Sequence, residues 1–289
     1  MTRDLLVELR ELQDADGCFP SDIVASGIRS VDRNGYVAAL VLRTLRHHPP
    51  LGLWCEISDR ALDWVSRCRS PRLPAAFAFW PESTRPDWAA GVPADVDDTA
   101  VMLTELLRHG RVDRPTALRS VCTVILACRV VDDSALRPPW VAQGSYLTWV
   151  AGDARPTSSS GKRTPPNLVD ACVNANVVAL LALLDATHLP GYRAAVSTVR
   201  RGTAWAGEDQ RMLAALTPFY PAPRSLADAV AHAVECGVEE LRETQDRLER
   251  LPAAMLDSPH GSCRSAWGHT IWHAPALDLA TAIAGQRRW

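Results

Sequence analysis

The chain has 289 residues, 47% of them apolar, with 31 basic against 33 acidic side chains and a net charge of −2. It is long enough for one large core. The balanced charge, with no long basic run, argues against nucleic acid as the main partner. No stretch reaches the length of an uncharged membrane span, and the charged residues 1–6 are unlike a signal peptide. The eight cysteines include no close-spaced Cys-x-x-Cys pair, which argues against a zinc ribbon or a thioredoxin-type motif and fits a reducing cytoplasm.

The apolar spacing predicts helices almost throughout, with no convincing run of alternating strands and hairpin turns. One order of elements recurs: an amphipathic helix, a loop rich in Gly, Pro and aromatics, then an acidic residue opening a more apolar helix. Residues 5–14 form the first amphipathic helix, Gly17-Cys18-Phe19-Pro20 its loop, and Asp32-Arg33-Asn34 opens a helix over 36–45. In the second copy a helix over 59–68 leads to Phe77-Ala78-Phe79-Trp80-Pro81, and Asp95 to Asp98 open a helix reaching about His109. In the third, residues 115–131 lead to an aromatic loop over 140–149, and Asp170 opens a helix to about Leu184. The fourth loop is Phe219-Tyr220-Pro221, with Asp228 in the helix after it. The fifth is a helix over 238–248, a loop over 267–272 and a last apolar helix carrying Asp278. A sixth pair is sought between Gly191 and Leu216. Loop length varies while order is kept, as in a repeat architecture. Alternating amphipathic and apolar helices suit two concentric layers. The expectation is an all-α fold: one (α/α) barrel over residues 1–289, with five to six helix pairs. All inner N-termini would then meet at one mouth, with their positive dipole ends.

The most pointed stretch is Asp95-Val96-Asp97-Asp98-Thr99-Ala100, three carboxylates ahead of an apolar helix. Carboxylates at a helix start can simply cap it. Crowded carboxylates can also raise one another's affinity for a proton, which makes an acid, while the helix N-terminus opposes this. On the inner helix that Asp170 opens, Asn174 and Asn176 need partners, either a polar cavity or neighbouring loops. Ten of the 18 aromatics are tryptophan, and Trp80, Trp88, Trp140, Trp149, Trp267 and Trp272 fall in mouth-forming loops. They either plug loops onto the barrel or line a cavity. Residues 152–166 break the rhythm. Pro156 stands where a phosphate-binding loop needs glycine, so this reads as a mobile loop that can carry Arg155, Lys162 and Arg163 over the mouth toward an anionic substrate. His269 and His273 are candidates to hydrogen-bond the acid or act as a terminating base.

Asp95-Val96-Asp97-Asp98-Thr99-Ala100 resembles the DxDDTA motif of class II terpene cyclases, and Gln13-Asp14-Ala15-Asp16-Gly17-Cys18-Phe19 is similar to a loose Gln…Gly…Trp repeat of the squalene-cyclase and prenyltransferase superfamily. The resemblance implies a cyclase in which Asp97 protonates an alkene or epoxide of an isoprenoid or polyene, with Asp95 and Asp98 in support. Substrate would meet Trp80, Trp149, Asp170, Asn174, Trp272, His273 and Arg163. No metal is implied for that reaction, with Mg²⁺ entering only for a diphosphate substrate. Such cyclases usually close their cavity between two barrels, so a single barrel implies closure by loops, a homodimer or a partner protein. A second resemblance joins Asp170, Cys172 and Trp272-His273 to the zinc motif of protein prenyltransferase β-subunits, implying Zn²⁺ on Asp170, Cys172 and His273. A non-catalytic barrel binding a lipid or a partner is the third expectation.

Overall fold

The computed structural model describes residues 2–25, 28–49, 52–131, 138–150, 167–252, 255, 262–265 and 270–285. Among them, helices form in chain order as α1 (Thr2–Glu11), α2 (Tyr36–Thr44), α3 (Leu53–Ser66), α4 (Val96–Arg108), α5 (Arg114–Thr123), α6 (Ala171–Leu183), α7 (Tyr192–Ala206), α8 (Gln210–Ala215), α9 (Pro223–Glu235), α10 (Arg242–Glu249) and α11 (Pro275–Gly285). Burial separates two classes. Every residue of α4 from Val96 to Leu106 and of α6 from Ala171 to Leu181 is buried. In α3 one face is buried (Trp54, Ile57, Ala61, Leu62, Val65 among others), and α10 buries only Thr244 and Leu248.

The inner helices pack in the order α11, α2, α4, α6, α9. Outside them, α1 packs on α11 and α3, α3 on α2 and α4, α5 on α4, α7 on α6, and α10 on α9. The result is the expected (α/α) barrel, with five pairs among the described residues. The stretch searched for a sixth pair holds α7, the outer helix preceding α9, and the short α8 in the loop between them.

The first Gly loop shows why its residues are there. Gln13 Nε2 donates to the carbonyls of Gly17 (3.2 Å) and Ile57 (3.0 Å), tying the loop to α3. Gly17 has φ +98°, and a Cβ there would lie 2.0 Å from the carbonyl oxygen of Arg60, so only glycine fits. Phe19 is fully buried.

One element departs from the all-helical expectation. Strands β1 (Ser21–Ala25), β2 (Ile28–Asp32), β3 (Cys263–Arg264) and β4 (Thr270–His273) form a small antiparallel sheet in the order β2-β1-β4-β3. Ile23 lies opposite Trp272 and Asp22 opposite His273, so the sheet joins the loop before α2 to the loop before α11. Local sequence hides it because the alternation has the wrong polarity: Ser21 and Ile23 are buried while Val24 (46% exposed) and Val31 (67%) face out. A main core fills the barrel, and a satellite cluster of Ile23, Trp80, Ala89, Cys263 and Trp272 sits against the sheet.

Candidate active site

Backbone pairing fixes the first turn of α4 before any side chain is considered. Short bridges join Phe77 to Asp95 and Asp95 to Trp149, and Val96 N donates to the Thr148 carbonyl at 2.8 Å. Thr99 Oγ1 accepts from Phe77 N (3.0 Å) and donates to the Asp95 carbonyl (2.6 Å). Asp95 is the N-cap, its Oδ1 accepting from Asp98 N at 2.6 Å. The capping reading holds at Asp95, and the cap leaves Asp97 to turn inward.

Asp97 is 7% exposed and sits where four inner-helix N-terminal regions converge. Its Oδ2 accepts from the hydroxyls of Tyr36 (3.3 Å) at the start of α2 and Tyr220 just before α9, and these two hydroxyls also touch each other. Its Oδ1 accepts from Asn176 Nδ2 of α6 at 2.7 Å. Burial raises the affinity of Asp97 for its proton, while the bonds from Tyr220 and Asn176, the charge of Arg43 and the bond from Tyr36 act against it. The crowding argument thus needs correction. Desolvation is the leading cause for all three carboxyls, and the like-charge effect acts on Asp95, from Asp97, and on Asp98, from Asp95 and Asp97, both being raised. The phenols are themselves pushed up, by burial first and then by the charge of Asp97. They stay protonated donors beside it, and a hydroxyl can equally accept from a protonated carboxyl.

An unbroken run of rings leads away from Asp97. Tyr36 stacks on Phe79 (centroids 5.9 Å apart), and Phe79 meets Trp80 (4.6 Å) and Trp272 (5.6 Å) edge to face. Trp88 closes on both tryptophans, at 5.6 and 6.1 Å. Buried Asp32 anchors this group. Its Oδ1 accepts from Trp80 Nε1 (2.7 Å), and its Oδ2 from Trp272 Nε1 (2.9 Å) and Asn34 Nδ2 (2.9 Å). Trp149 belongs to a separate contact, edge-on to Phe219 at 5.3 Å.

Other expected residues are placed differently. Asn174 gives its side chain to backbone: Oδ1 accepts from Tyr146 N (2.9 Å), and Nδ2 donates to the carbonyls of Tyr146 (3.0 Å) and Asp170 (2.9 Å). It straps a loop to α6 rather than presenting a polar group to a ligand. Asp170 caps α6 through Cys172 N (2.7 Å) and Val173 N (3.4 Å), and its other oxygen accepts from Phe219 N (3.2 Å). Burial, then the charge of Asp97, pushes its carboxyl up to about 8. The zinc expectation fails on this geometry. The Asp170 oxygens are taken by amides, and His273 Nε2 at the end of β4 lies 3.1 Å from Asp278 of α11. Among the described residues no group of three His, Cys, Asp or Glu could hold a metal ion. Arg155, Lys162, Arg163, Trp267 and His269 lie outside the described residues.

Sequence reasoning did not single out Tyr36, Tyr220 or Arg43, and noted Asn176 only as a polar residue needing a partner. A signal existed: Tyr36 and Tyr220 occupy the positions just ahead of or at the start of inner helices, where Asp97 stands in the second copy.

No protein-family model matches the chain, and no curated protein matches it. Solved structures do. A protein from Actinoplanes is 19% identical, with a TM-score of 0.54 over 99% of this chain and 74% of that one. The type II terpene cyclase MstE from Scytonema is 14% identical in a variant bound to its substrate geranylgeranyl dihydroxybenzoate, with a TM-score of 0.51 over 98% of this chain and 76% of that one. A second MstE variant, bound to its product merosterolic acid A, gives 14% identity and 0.51 over 98% and 77%. These likenesses show the fold, a helical barrel shared with a terpene cyclase.

Proposed function

We propose that this chain is a class II terpene cyclase-like enzyme that starts carbocation cyclisation of an isoprenoid or polyene by protonating an alkene or epoxide. Asp97 is the general acid. Asp95 fixes its helix, and Asp98 shares the local charge with Asp95. The observation that carries this reading is the buried, proton-favouring Asp97 carboxyl at the head of an inner helix, beside a continuous run of aromatic rings. An acid held neutral by an apolar setting can give its proton to a weak base. Ring faces of Tyr36, Phe79, Trp80 and Trp272 suit the cation that follows, each contributing about 0.5–2 kcal/mol where desolvated. Trp149 contributes a further apolar wall. The substrate class of MstE, a polyprenyl chain on an arene, is the first compound class to try.

The test is incubation of the purified protein with geranylgeranyl dihydroxybenzoate and with linear polyprenyl compounds bearing an alkene, epoxide or diphosphate end, read by mass spectrometry and NMR for cyclised products. Asp97→Asn keeps shape and removes the acid, so turnover should fall at least about 100-fold. Undiminished turnover by that variant, or tight lipid binding with no turnover by the parent protein, overturns the proposal.

A further inference from the structure

The proposed reaction leaves a charge behind. When Asp97 protonates an alkene carbon, its O–H bond breaks and the π pair forms a new C–H bond. The substrate becomes a carbocation and Asp97 a carboxylate. A buried carboxylate without a counter-charge is costly. Among the described residues, the three side chains hydrogen-bonded to Asp97, those of Tyr36, Tyr220 and Asn176, are neutral.

The nearest cation on this hydrogen-bond chain stands one amide away. Arg43 Nη1 donates to Asn176 Oδ1 at 2.8 Å, and Asn176 Nδ2 donates to Asp97 Oδ1 at 2.7 Å. All three side chains are buried. Arg43 is only loosely engaged elsewhere: its Nε is 3.8 Å from Glu105 Oε1, beyond hydrogen-bond reach. Its Nε and Nη2, and both Glu105 carboxylate oxygens, have no hydrogen-bond partner among the described residues. Burying a guanidinium on a distant, shared carboxylate (Arg108 Nη1 is also 3.6 Å from Glu105 Oε1) is a poor structural bargain. Its one short hydrogen bond points toward Asp97.

We propose that Arg43 is a positioning residue for the acid, acting through Asn176 to orient the Asp97 carboxyl and to stabilise the carboxylate formed when the proton leaves. The arrangement assigns the mobile proton to Oδ2, between the two tyrosine hydroxyls, because Oδ1 is committed to Asn176. The amide carries no proton itself. It transmits polarisation, its carbonyl drawn to Arg43 and its N–H sharpened toward Asp97. The proton returns to Asp97 from the quenched cation or from water. This inference rests on the reading of Asp97 as the acid.

The experiment is a pH titration of protein labelled with ¹³C at the aspartate carboxyls, followed by NMR, the Asp97 signal being the one lost in Asp97→Asn. Among the described residues, the charged and titratable groups around Asp97 are Asp95 and Asp98 at the start of its own helix, Tyr36 and Arg43 on α2, Asp170 and Cys172 at the start of α6, Tyr220 before α9, and Cys263 on β3. Only the Arg43 link is altered in the variants. Arg43→Met removes the cation, so the Asp97 midpoint should move up by about 1 pH unit. Asn176→Leu keeps the cation but cuts the link and should also move it up. Arg43→Lys should recover at least half of the shift, which a purely structural role does not predict. Should Arg43→Met fail to fold, Arg43→Met with Glu105→Gln removes both charges together and is titrated in its place. Midpoints within about 0.2 unit of the parent in both variants overturn the inference. So does an Asp97 that keeps its proton at every pH where the fold survives. Failure of the cyclase reading registers separately, as absence of cyclised product with the titration shifts intact.

Discussion

At the scale of single residues, hydrogen bonds to Asp97 and to Asp32 draw together side chains from different repeats. Tyr220 donates to Asp97 and thereby favours its ionised form. If Asp97 is the acid of the proposed cyclase, Tyr220→Phe should raise its proton affinity, make it a weaker acid and lower kcat by about 10-fold, the scale of one hydrogen bond to a charged group. Measured kcat on whichever polyene is turned over, beside the parent, checks this. Asp32 holds two indole N–H groups from loops far apart in sequence. Asp32→Leu leaves both donors buried and unpaired, at about 1–3 kcal/mol each. Urea denaturation followed by tryptophan emission should show that loss with a change in the native spectrum, and an unchanged midpoint would refute the anchoring role. The sequence made Asp95, Asp97 and Asp98 conspicuous because three carboxylates crowd one turn. Crowding alone does not rank them, and only the resemblance put Asp97 forward. Which one caps and which turns inward depends on Phe77 and Thr148, whose backbone reaches α4 from other loops.

At the scale of elements, the capped inner helix is the working unit. Asp95 and Asp170 each cap one, and Asn174 fastens the following turn of α6 to the Tyr146 loop. Asn174→Leu removes three bonds to backbone and should cost about 1–3 kcal/mol, measured by chemical denaturation, without changing how Asp97 titrates. A shifted Asp97 midpoint in that variant would mean that Asn174 belongs to the site after all. The alternation of amphipathic and apolar helices was legible because burial follows helical periodicity within each segment. The sheet was not legible. Its strands are short, their outward positions carry valines, and β1 finds β4 only across nearly the whole chain. The partners of Asp97 were hidden for the same reason, coming from Tyr36, Asn176 and Tyr220 on three other repeats.

At the scale of the whole molecule, the barrel concentrates buried acids. Asp32, Asp95, Asp97, Asp98, Asp170 and Glu105 are all raised, each with burial as the first cause. A carboxyl whose folded value lies above its unfolded value stabilises the fold below the unfolded value, near 4, and loses that contribution as pH rises through the folded one. For Asp170 the folded value is about 8. The protein should therefore be more stable near pH 5 than near pH 9, and Tm should fall by at least about 3 °C across that interval, since each kcal/mol lost lowers it by about 2–4 °C. Asp170→Asn should flatten the slope. Calorimetry at several pH values decides, and a Tm that climbs toward pH 9 contradicts the assignment.

The pairing of β1 with β4 gives assembly a direction in time. A ribosome delivers residue 23 long before residue 272, so the strand that latches the ring must wait for its mate while the intervening helices emerge. Until that late clasp forms, Ile23 lacks Trp272 opposite it and Asp32 lacks one of its two indole donors.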